Sequence, residues 1–396
     1  MILYVYWIGC NDVNYFLFWF INMNKDSKIF IAGGSGLVGS SIIRSLLKKG
    51  YSNIVSNYLK RLPTIHNNFV RYVQLDLTRQ KETEDFFDEE RPEFVFLAAA
   101  KVGGILANNT YKAEFIYDNI IIASNVIQAA CKFGTKKLLN LGSSCIYPKY
   151  APQPMIENFL LTGELEPTNE AYAVAKIAAI KLCRYYNEQY GTNFISVMPT
   201  NLYGVNDNFN LVSSHVLPAM IRKIHLAMLL SEQRYDLIKR DLLTFGNATA
   251  KVGGDIIEIN ESTPNATIIT LMNHFGIKTS SSSVTVVLWG TGSPYREFLY
   301  SEDLADAVIF LMEKFDYQQI GEFINIGSGI DLPIKELAYM VKEVVGFNGD
   351  IFFDSTKPDG TPKKLLDVER LHSLGWRPKV ELKEGIRKVY DWYISQ

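Results

Sequence analysis

The chain has 396 residues, 47% of them hydrophobic and 21% charged, which is typical of a globular protein with one large or two smaller α/β domains. The formal net charge is −2, so the chain lacks the overall positive field with which proteins bind nucleic acid or acidic membranes. Its four cysteines have no Cys-x-x-Cys or other metal-like spacing, which excludes a metal ribbon and predicts a cytoplasmic protein with reduced thiols.

The first 22 residues predict an N-terminal extension. They are rich in aromatic and aliphatic side chains, but Asn11, Asp12 and Asn14 interrupt the run. Because no basic residue precedes the run and no small-residue cleavage site closes it, neither a secretory signal nor a membrane span is supported. We therefore expect residues 1–22 to lie outside the fold, with Met23 as the functional start.

A strand, a glycine loop and a helix open the predicted fold. Residues 28–32 form a short apolar run, and residues 40–49 have helical spacing. Between them, three glycines permit a tight turn and let backbone N–H groups approach a pyrophosphate at the helix N-terminus. A merely tight turn is the alternative. The loop residues predicted to bind a dinucleotide are Gly33, Gly34, Ser35, Gly36, Leu37, Val38 and Gly39.

The next strands bear on the choice of cofactor. A second strand, predicted at 53–57, ends without the Asp or Glu that NAD sites use to bind the ribose. Lys60 and Arg61 follow it and suit a 2′-phosphate, which favours NADPH over NADH, although both residues can also belong to a solvated loop. A third strand is predicted at 69–75, followed by Asp76 and a polar helix over 80–90.

Two fully apolar runs, at 93–100 and 137–142, flank a helical pattern over 119–133. Apolar strands that alternate with helices predict an α/β fold with a Rossmann-type, doubly wound parallel sheet. Such sheets bind ligands at the carboxyl ends of their strands. Ser143, Ser144 and Cys145 stand at one of these ends, where they are either functional or a simple turn with a buried thiol.

Tyr172 and Lys176 are four residues apart on the next predicted helix and therefore share one face. A phenol there can donate a proton to a carbonyl oxygen, while an adjacent ammonium lowers the pKa of the phenol. A Tyr-x-x-x-Lys pair is common by chance. Its meaning comes from the glycine loop and Ser143 upstream, in the order that a ketone-reducing enzyme requires.

Beyond residue 200 the regular alternation fades. Residues 230–283 are rich in Ser, Thr and Asn, and we expect an insertion that forms a surface excursion or is partly disordered. Strands at 284–289, near 323–326 and at 350–353 complete a smaller C-terminal α/β lobe. The predicted domains are 23–204, a Rossmann domain to which later elements return, and 205–396, mainly the lobe that binds substrate.

The smaller lobe carries candidate binding residues. The guanidinium of Arg296 suits phosphate and the indole of Trp289 suits stacking on a base. Asp359 stands in a polar turn that is alternatively only a loop, and a single histidine such as His215 is usually structural.

Together these motifs resemble the extended short-chain dehydrogenase/reductase superfamily and, within it, the GDP-L-fucose synthase family. The Ser-Ser-Cys turn followed by Ser214-His215 is specific to that family, whereas the Tyr/Lys pair is shared across the superfamily. The matching stretches are 97–105, 108–111, 141–149, 166–170, 197–204, 289–299 and 357–367. The extension, residues 230–283 and the loop at 58–67 depart from the family pattern.

The resemblance implies two chemistries in one pocket of an enzyme that acts on GDP-4-keto-6-deoxy-D-mannose. Cys145 and His215 would invert C3 and C5. NADPH would then reduce the C4 ketone, with Tyr172 as acid, Lys176 lowering its pKa and holding the ribose, and Ser143 bonding the carbonyl. The GDP-sugar would contact Lys223, Trp289, Arg296 and Asp359. The cofactor would contact the glycine loop, Lys60, Arg61, Asp76, Leu141, Gly142, Ser143, Ser144, Tyr172, Lys176, Pro199, Thr200, Asn201, Leu202 and His215.

The family also implies a homodimer through the helices around 110–132 and 170–190, with no metal, nucleic-acid or membrane partner. Two other interpretations stay open. One is another nucleotide-sugar epimerase, reductase or dehydratase of the superfamily, and the other is a catalytically silent NADP(H)-binding sensor. A sensor needs neither Ser143, Tyr172 nor Lys176, and a simple 4-epimerase needs neither Cys145 nor His215.

Overall fold

A computed structural model describes residues 22–280 and 283–396. The extension predicted at 1–22 therefore lies, apart from residue 22, outside the described residues. Within the described ranges, every helix is too short or too polar to cross a bilayer.

The strands are β1 (Ile29–Ala32), β2 (Ile54–Tyr58), β3 (Val70–Gln74), β4 (Phe94–Leu97), β5 (Lys137–Leu141), β6 (Phe194–Pro199), β7 (Asn201–Tyr203), β8 (Thr249–Val252), β9 (Asp255–Glu258), β10 (Ile277–Thr279), β11 (Val284–Trp289), β12 (Tyr295–Tyr300), β13 (Ile324–Ile326), β14 (Asp331–Pro333), β15 (Asp350–Asp354) and β16 (Lys363–Lys364). The helices are α1 (Leu37–Lys48), α2 (Gln80–Glu90), α3 (Ile105–Thr110), α4 (Lys112–Lys132), α5 (Glu170–Tyr190), α6 (Val216–Ser231), α7 (Tyr235–Thr244), α8 (Asn265–His274), α9 (Ser301–Lys314), α10 (Tyr317–Ile320), α11 (Ile334–Val345), α12 (Glu369–Ser373) and α13 (Leu382–Ile394).

In the described part of the chain, the main sheet has seven parallel strands in the order β3-β2-β1-β4-β5-β6-β13. Helices α1 and α9 pack on one face of this sheet, and α2, α4 and α5 pack on the other. Because both faces are covered, β1, β4, β5 and β6 are buried along their whole length. The predicted Rossmann-type doubly wound fold is confirmed.

The strand order reverses between β1 and β4, because the chain continues from β1 toward β3 on one side and from β4 toward β13 on the other. A crevice at the carboxyl ends of the strands opens at such a switch point. The glycine loop follows β1, Ser143 follows β5, and β6 ends at Pro199. These candidate residues therefore lie along one edge of the sheet.

Besides the β8–β9 hairpin, the described part of the smaller lobe contains two sheets. One has the order β10-β11-β15, and the other has the order β14-β12-β16 with β7 also paired to β12. Helices α6, α11 and α13 bury their apolar faces in the core of this lobe. The strand expected near 350–353 belongs here as β15, but the strand expected near 323–326 is β13 and completes the main sheet. The boundary at residue 204 stays a prediction.

The expectation that residues 230–283 form a surface excursion is wrong for the part that is described. They form α7, the β8–β9 hairpin, α8 and β10. Ile238, Leu242, Leu271 and Met272 have no exposed surface and contribute to the core of the smaller lobe. Each element supplies only a few apolar residues, so the hydrophobic period along the sequence is weak although the segment is packed.

Candidate active site

The glycine loop forms a close turn between β1 and α1. A Cβ on Gly39 would lie 2.2 Å from the carbonyl oxygen of Gly33, so only glycine permits this approach of helix and strand. The first turn of α1 carries no acidic side chain. Its N–H groups, which have no partner within the helix, therefore offer an anion site that fits a pyrophosphate.

The second strand ends without a free acceptor for a ribose hydroxyl. The side chain of Asn57 accepts a hydrogen bond from Gly33 N at 2.8 Å and donates one to Leu75 O at 3.0 Å. Asn57 is therefore used within the fold. Asp76, at the end of β3, accepts bonds from the backbone N–H and the hydroxyl of Thr78.

Arg61 and Lys60 lie in different surroundings. Arg61 donates to the side-chain oxygen of Asn206 at 2.5 Å, and Asn206 in turn donates to Ser35 O at 3.1 Å. Lys60 and Arg61 are both exposed, but this pair of bonds brings the Arg61 guanidinium beside the glycine loop. Of the two predicted phosphate ligands, Arg61 is thus the one that the fold directs toward the dinucleotide site.

Tyr172, Lys176 and Ser143 come together where β5 ends and α5 begins. The Ser143 hydroxyl lies near enough to Tyr172 to lower the pKa of the phenol. The ammonium of Lys176 donates to Leu141 O at 2.8 Å and lies 5.7 Å from the centre of the Tyr172 ring. Ser143 also accepts a bond from Cys145 N at 3.4 Å, which fixes the turn that carries the thiol.

Burial dominates the electrostatics of this cluster. Burial and the charge of Cys145 both raise the pKa of Tyr172, whereas the Ser143 hydroxyl lowers it. Burial also lowers the pKa of Lys176 to about 8, although the charge of Cys145 raises it in part. Desolvation of the buried phenol is the largest contribution, so the pKa of Tyr172 is raised overall; that the Lys176 ammonium lowers it stays a prediction.

Cys145 and His215 enter the site from different elements. The sulfur of Cys145 accepts a bond from the side-chain nitrogen of Asn169 at 3.3 Å. His215 immediately precedes α6; part of the residue is exposed, and desolvation by the surrounding protein lowers the pKa of its imidazole. Gly104 N donates to Ser213 O at 3.1 Å, which ties the loop before His215 to the segment that follows β4. His215 is thereby held at the switch-point side of the sheet.

The segment after β6 joins the two lobes. Thr200 N donates to Ile326 O of β13 at 3.0 Å, and the side chain of Asn201 donates to Glu297 O of β12 at 2.8 Å. Pro199 and Leu202 lie in β6 and β7 on either side of this junction. The predicted nicotinamide end of the site is thus held by strands of both sheets.

The four predicted substrate residues lie around β11 and β12. Lys223 Nζ donates to Val287 O of β11 at 3.2 Å, and burial lowers its pKa to about 8. Trp289, at the end of β11, is 65% exposed and therefore free to stack on a base. Burial lowers the pKa of Arg296, and the charge of Asp359 opposes that shift. Asp359 is itself fixed by the Thr291 N–H at 2.9 Å.

Sequence reasoning missed three contributors to this site. Asn169 contacts the thiol, and Lys357 lies 5.7 Å from the centre of the Trp289 ring. A Cβ on Gly276, within the supposed excursion, would lie 3.3 Å from Lys223 Nζ. In the sequence, Asn169 has only the signature of a helix N-cap, and Gly276 that of a turn.

The chain was compared with known families and proteins. A sequence model of the NAD dependent epimerase/dehydratase family matches residues 29–252 and 258–327. GDP-L-fucose synthase 1 of Arabidopsis thaliana is 49% identical over 94% of this chain and 94% of its own length. GDP-L-fucose synthase of Escherichia coli K12 is 43% identical over 93% of this chain and 97% of its own length.

A solved structure agrees with these sequence matches. The GDP-mannoheptose C4 reductase MlghC from Campylobacter jejuni, with NADP bound, is 38% identical, covers 94% of this chain and 100% of its own, and superposes with a TM-score of 0.75. On these matches and the geometry above, the chain belongs to the NAD dependent epimerase/dehydratase family, within the extended short-chain dehydrogenase/reductase superfamily, and to its GDP-L-fucose synthase branch.

Proposed function

We propose that the protein converts GDP-4-keto-6-deoxy-D-mannose to GDP-L-fucose by inverting C3 and C5 and then reducing the C4 ketone with NADPH. The observation that carries the proposal is the cluster of Ser143, Cys145 and Tyr172 at the end of β5. Cys145 N donates to the Ser143 hydroxyl at 3.4 Å, and both Tyr172 and Lys176 lie close enough to Cys145 for its charge to raise their pKa values. A thiol and a ketone-protonating phenol therefore serve the same pocket.

The two inversions use the acidity of the carbons beside the ketone. The Cys145 thiolate takes the proton from the carbon, and the electron pair passes to the ketone oxygen, whose negative charge Ser143 and Tyr172 stabilise by hydrogen bonds. His215 then delivers a proton to the opposite face. Because burial lowers the pKa of His215, its imidazole starts neutral near pH 7 and must take up a proton for this step.

The reduction ends the sequence, because without the ketone neither carbon is acidic. NADPH, when bound, supplies the hydride to C4. Tyr172 donates its proton to the oxygen, and its raised pKa keeps the phenol protonated until the oxygen becomes basic. The Lys176 ammonium faces the same pocket and offers donors to the ribose of the cofactor.

The residues present fit NADPH. Gly39 permits the close approach of α1 to the turn after β1, which presents the helix N-terminus to a pyrophosphate. Asn57 offers no carboxylate that would repel a 2′-phosphate, and Arg61 supplies a cation beside the glycine loop. The GDP portion belongs to the smaller lobe, with Lys223 and Arg296 at the phosphates. There Trp289 stacks on the guanine, and Asp359 holds the loop against it.

A second candidate function is the reduction of a GDP-4-keto-heptose at C4 without epimerisation. Two observations favour it. The similar structure is named a GDP-mannoheptose C4 reductase, and the segment at 230–280 approaches Lys223 through Gly276. A reductase of this kind uses Ser143, Tyr172 and Lys176 but has no need of a thiol and an imidazole.

One experiment separates the two candidates. The protein is incubated with GDP-4-keto-6-deoxy-D-mannose and NADPH in deuterium oxide, and the product is identified by NMR. We expect GDP-L-fucose with deuterium at C3 and C5. A parallel incubation uses a GDP-4-keto-heptose. A reduced sugar with the original configuration and no deuterium would show a C4 reductase instead, and no NADPH oxidation with either sugar would show a silent binding protein.

We also propose that the enzyme is a cytoplasmic homodimer. The support for dimerisation is that α4 and α5 pack side by side and expose large apolar side chains, among them Tyr117 at 63% and Tyr185 at 53%. The support for the compartment is the absence of a described membrane-spanning helix and the free thiols of Cys131, Cys145 and Cys183.

A further inference from the structure

Asn169 stands at the N-cap position of α5 but does not cap the helix. An asparagine at this position ordinarily accepts a hydrogen bond from an N–H group of the first turn. Here the side chain makes no such bond. Its nitrogen points instead to Cys145 and donates to the sulfur at 3.3 Å. The contact therefore replaces the usual stabilisation of the helix start.

The other end of the same amide also indicates a ligand. Within the described residues, the side-chain oxygen of Asn169 is buried and has no hydrogen-bond partner. Leaving a buried carbonyl oxygen without a donor is unfavourable, so such an oxygen points to a donor from outside the chain. The same amide contacts the Cys145 thiol through its nitrogen. A donor to its oxygen would therefore lie beside the thiol and near the sugar carbons on which the thiol is proposed to act.

We propose that Asn169 is a positioning residue for epimerisation, whose N–H orients the Cys145 sulfur and whose oxygen accepts a hydrogen bond from a hydroxyl group of the sugar ring. The proposal rests on the proposed function. The N–H donor stabilises negative charge on the sulfur, and the sugar hydroxyl fixes the distance between the sulfur and the C–H bond that it attacks. Neither contact takes part in hydride transfer.

Among the described residues, Tyr172, Lys176 and Arg296 lie near enough to the sulfur for the charge of Cys145 to act on the pKa of each. All three come from α5 or β12 and stay unchanged when Asn169 is replaced. A change in the behaviour of the thiol can therefore be assigned to the amide.

The test uses two variants of the full-length protein. Asn169→Ser removes the long amide but restores a residue that caps helices well, and Asn169→Asp keeps the shape while removing the N–H donor. Deuterium wash-in at C3 and C5 is measured by NMR without NADPH, so that reduction does not interfere. We expect both variants to lose at least tenfold in wash-in rate, with NADPH affinity within twofold of the wild-type value.

A second readout needs no substrate. The rate at which iodoacetamide alkylates Cys145 is followed by peptide mass spectrometry, with the half-buried Cys131 as the internal reference. We expect Asn169→Asp to slow alkylation of Cys145 about tenfold and to leave Cys131 unchanged. Thr168→Ala is the matched control, because its hydroxyl bonds Glu166 at 3.3 Å. It should alter neither wash-in nor alkylation.

The outcomes separate the two proposals. If the wild-type protein shows no wash-in, the proposed epimerisation is overturned. If the wild-type protein shows wash-in and both Asn169 variants retain it within twofold, only the role of Asn169 is overturned. If the Asn169 variants show slower wash-in but unchanged alkylation of Cys145, the proposed effect of the Asn169 N–H on the sulfur is overturned.

Discussion

Among single residues, Lys176 offers a direct test by pH. Burial lowers its pKa to about 8, so the ammonium that we propose binds the ribose is present below that pH and is lost above it. We expect kcat/KM for NADPH, at saturating GDP-sugar, to be flat below pH 8 and to fall about tenfold per unit above it. Lys176→Arg keeps its charge and should abolish the break. A break at the same pH in both proteins would contradict this assignment.

Tyr172 is the proposed acid of the reduction, and its removal should separate chemistry from binding. Tyr172→Phe keeps the ring but removes the proton that the C4 oxygen requires. We expect NADPH oxidation to fall about 10²- to 10⁴-fold, with the dissociation constant of NADPH nearly unchanged. Tyr185→Phe, an exposed position on the same helix, is the control. Turnover close to wild type in Tyr172→Phe would remove the phenol from the mechanism.

The sequence predicted the local parts of this site and missed the parts that depend on packing. Tyr172 and Lys176 are four residues apart on one helix, so their proximity is a property of the helix itself. Asn169 meets Cys145 across 24 residues, and nothing in the sequence indicates that contact. The rise in the pKa of Tyr172 was not predicted, because the extent of its burial cannot be read from spacing.

At the scale of elements, α6 and α7 are joined by a buried ion pair. Arg222 is fully buried and donates to Asp241 at 2.8 Å, and Tyr393 also donates to that carboxylate. Asp241→Asn leaves the guanidinium buried without its counter-charge, so we expect the free energy of unfolding to fall by about 3–5 kcal/mol. Urea denaturation measures this change.

The matched control for that variant is Asp236→Asn. Asp236 lies on the same helix and pairs with Arg234 at 3.6 Å, but both side chains are more than half exposed. Its loss should cost about 0–1 kcal/mol. Equal effects of the two substitutions would mean that α7 is not anchored through Asp241.

Gly276 tests whether the segment at 230–280 shapes the substrate site. Its φ of +79° disfavours other residues, and a Cβ there would press on Lys223 Nζ at 3.3 Å and on Val287 O at 3.2 Å. We expect Gly276→Ala to raise KM for the GDP-sugar several-fold while leaving KM for NADPH unchanged, as steady-state kinetics would show. Gly253→Ala shares the positive φ but meets no atom within 4 Å, so it controls for backbone strain. An unchanged KM for the sugar in Gly276→Ala would separate the segment from the site.

The main sheet was predictable because each buried strand is a continuous apolar run, as in β1 and β4. The segment at 230–280 was not, because α7 buries only Ile238, Asp241 and Leu242, and one of these is charged. A buried carboxylate makes a helix look solvent-exposed in the sequence. Only the partner, Arg222 on α6, explains why it is inside.

For the whole molecule, β12 connects the two halves of the chemistry. Its first residues carry Arg296 beside Asp359, and residues 298–300 pair with β7, which continues from the end of β6. Glu297 lies between them, fully buried, and accepts bonds from Leu366 N and Gly329 N. The proposed phosphate contact of Arg296 and the predicted nicotinamide end are therefore both joined to one continuous strand, which limits how far the two lobes can move apart.

The proposed dimer is a property of the whole molecule and can be tested without substrate. Tyr117 on α4 exposes 63% of its surface, and a glutamate there would place a charge in an interface formed by α4 and α5. We expect the wild-type protein to elute at twice the monomer mass in light scattering and Tyr117→Glu to elute as a monomer. Tyr339→Glu, on α11 of the smaller lobe and 45% exposed, should stay dimeric. If Tyr339→Glu dissociates and Tyr117→Glu does not, the interface lies on the smaller lobe, and the crevice of the main sheet is then independent of it.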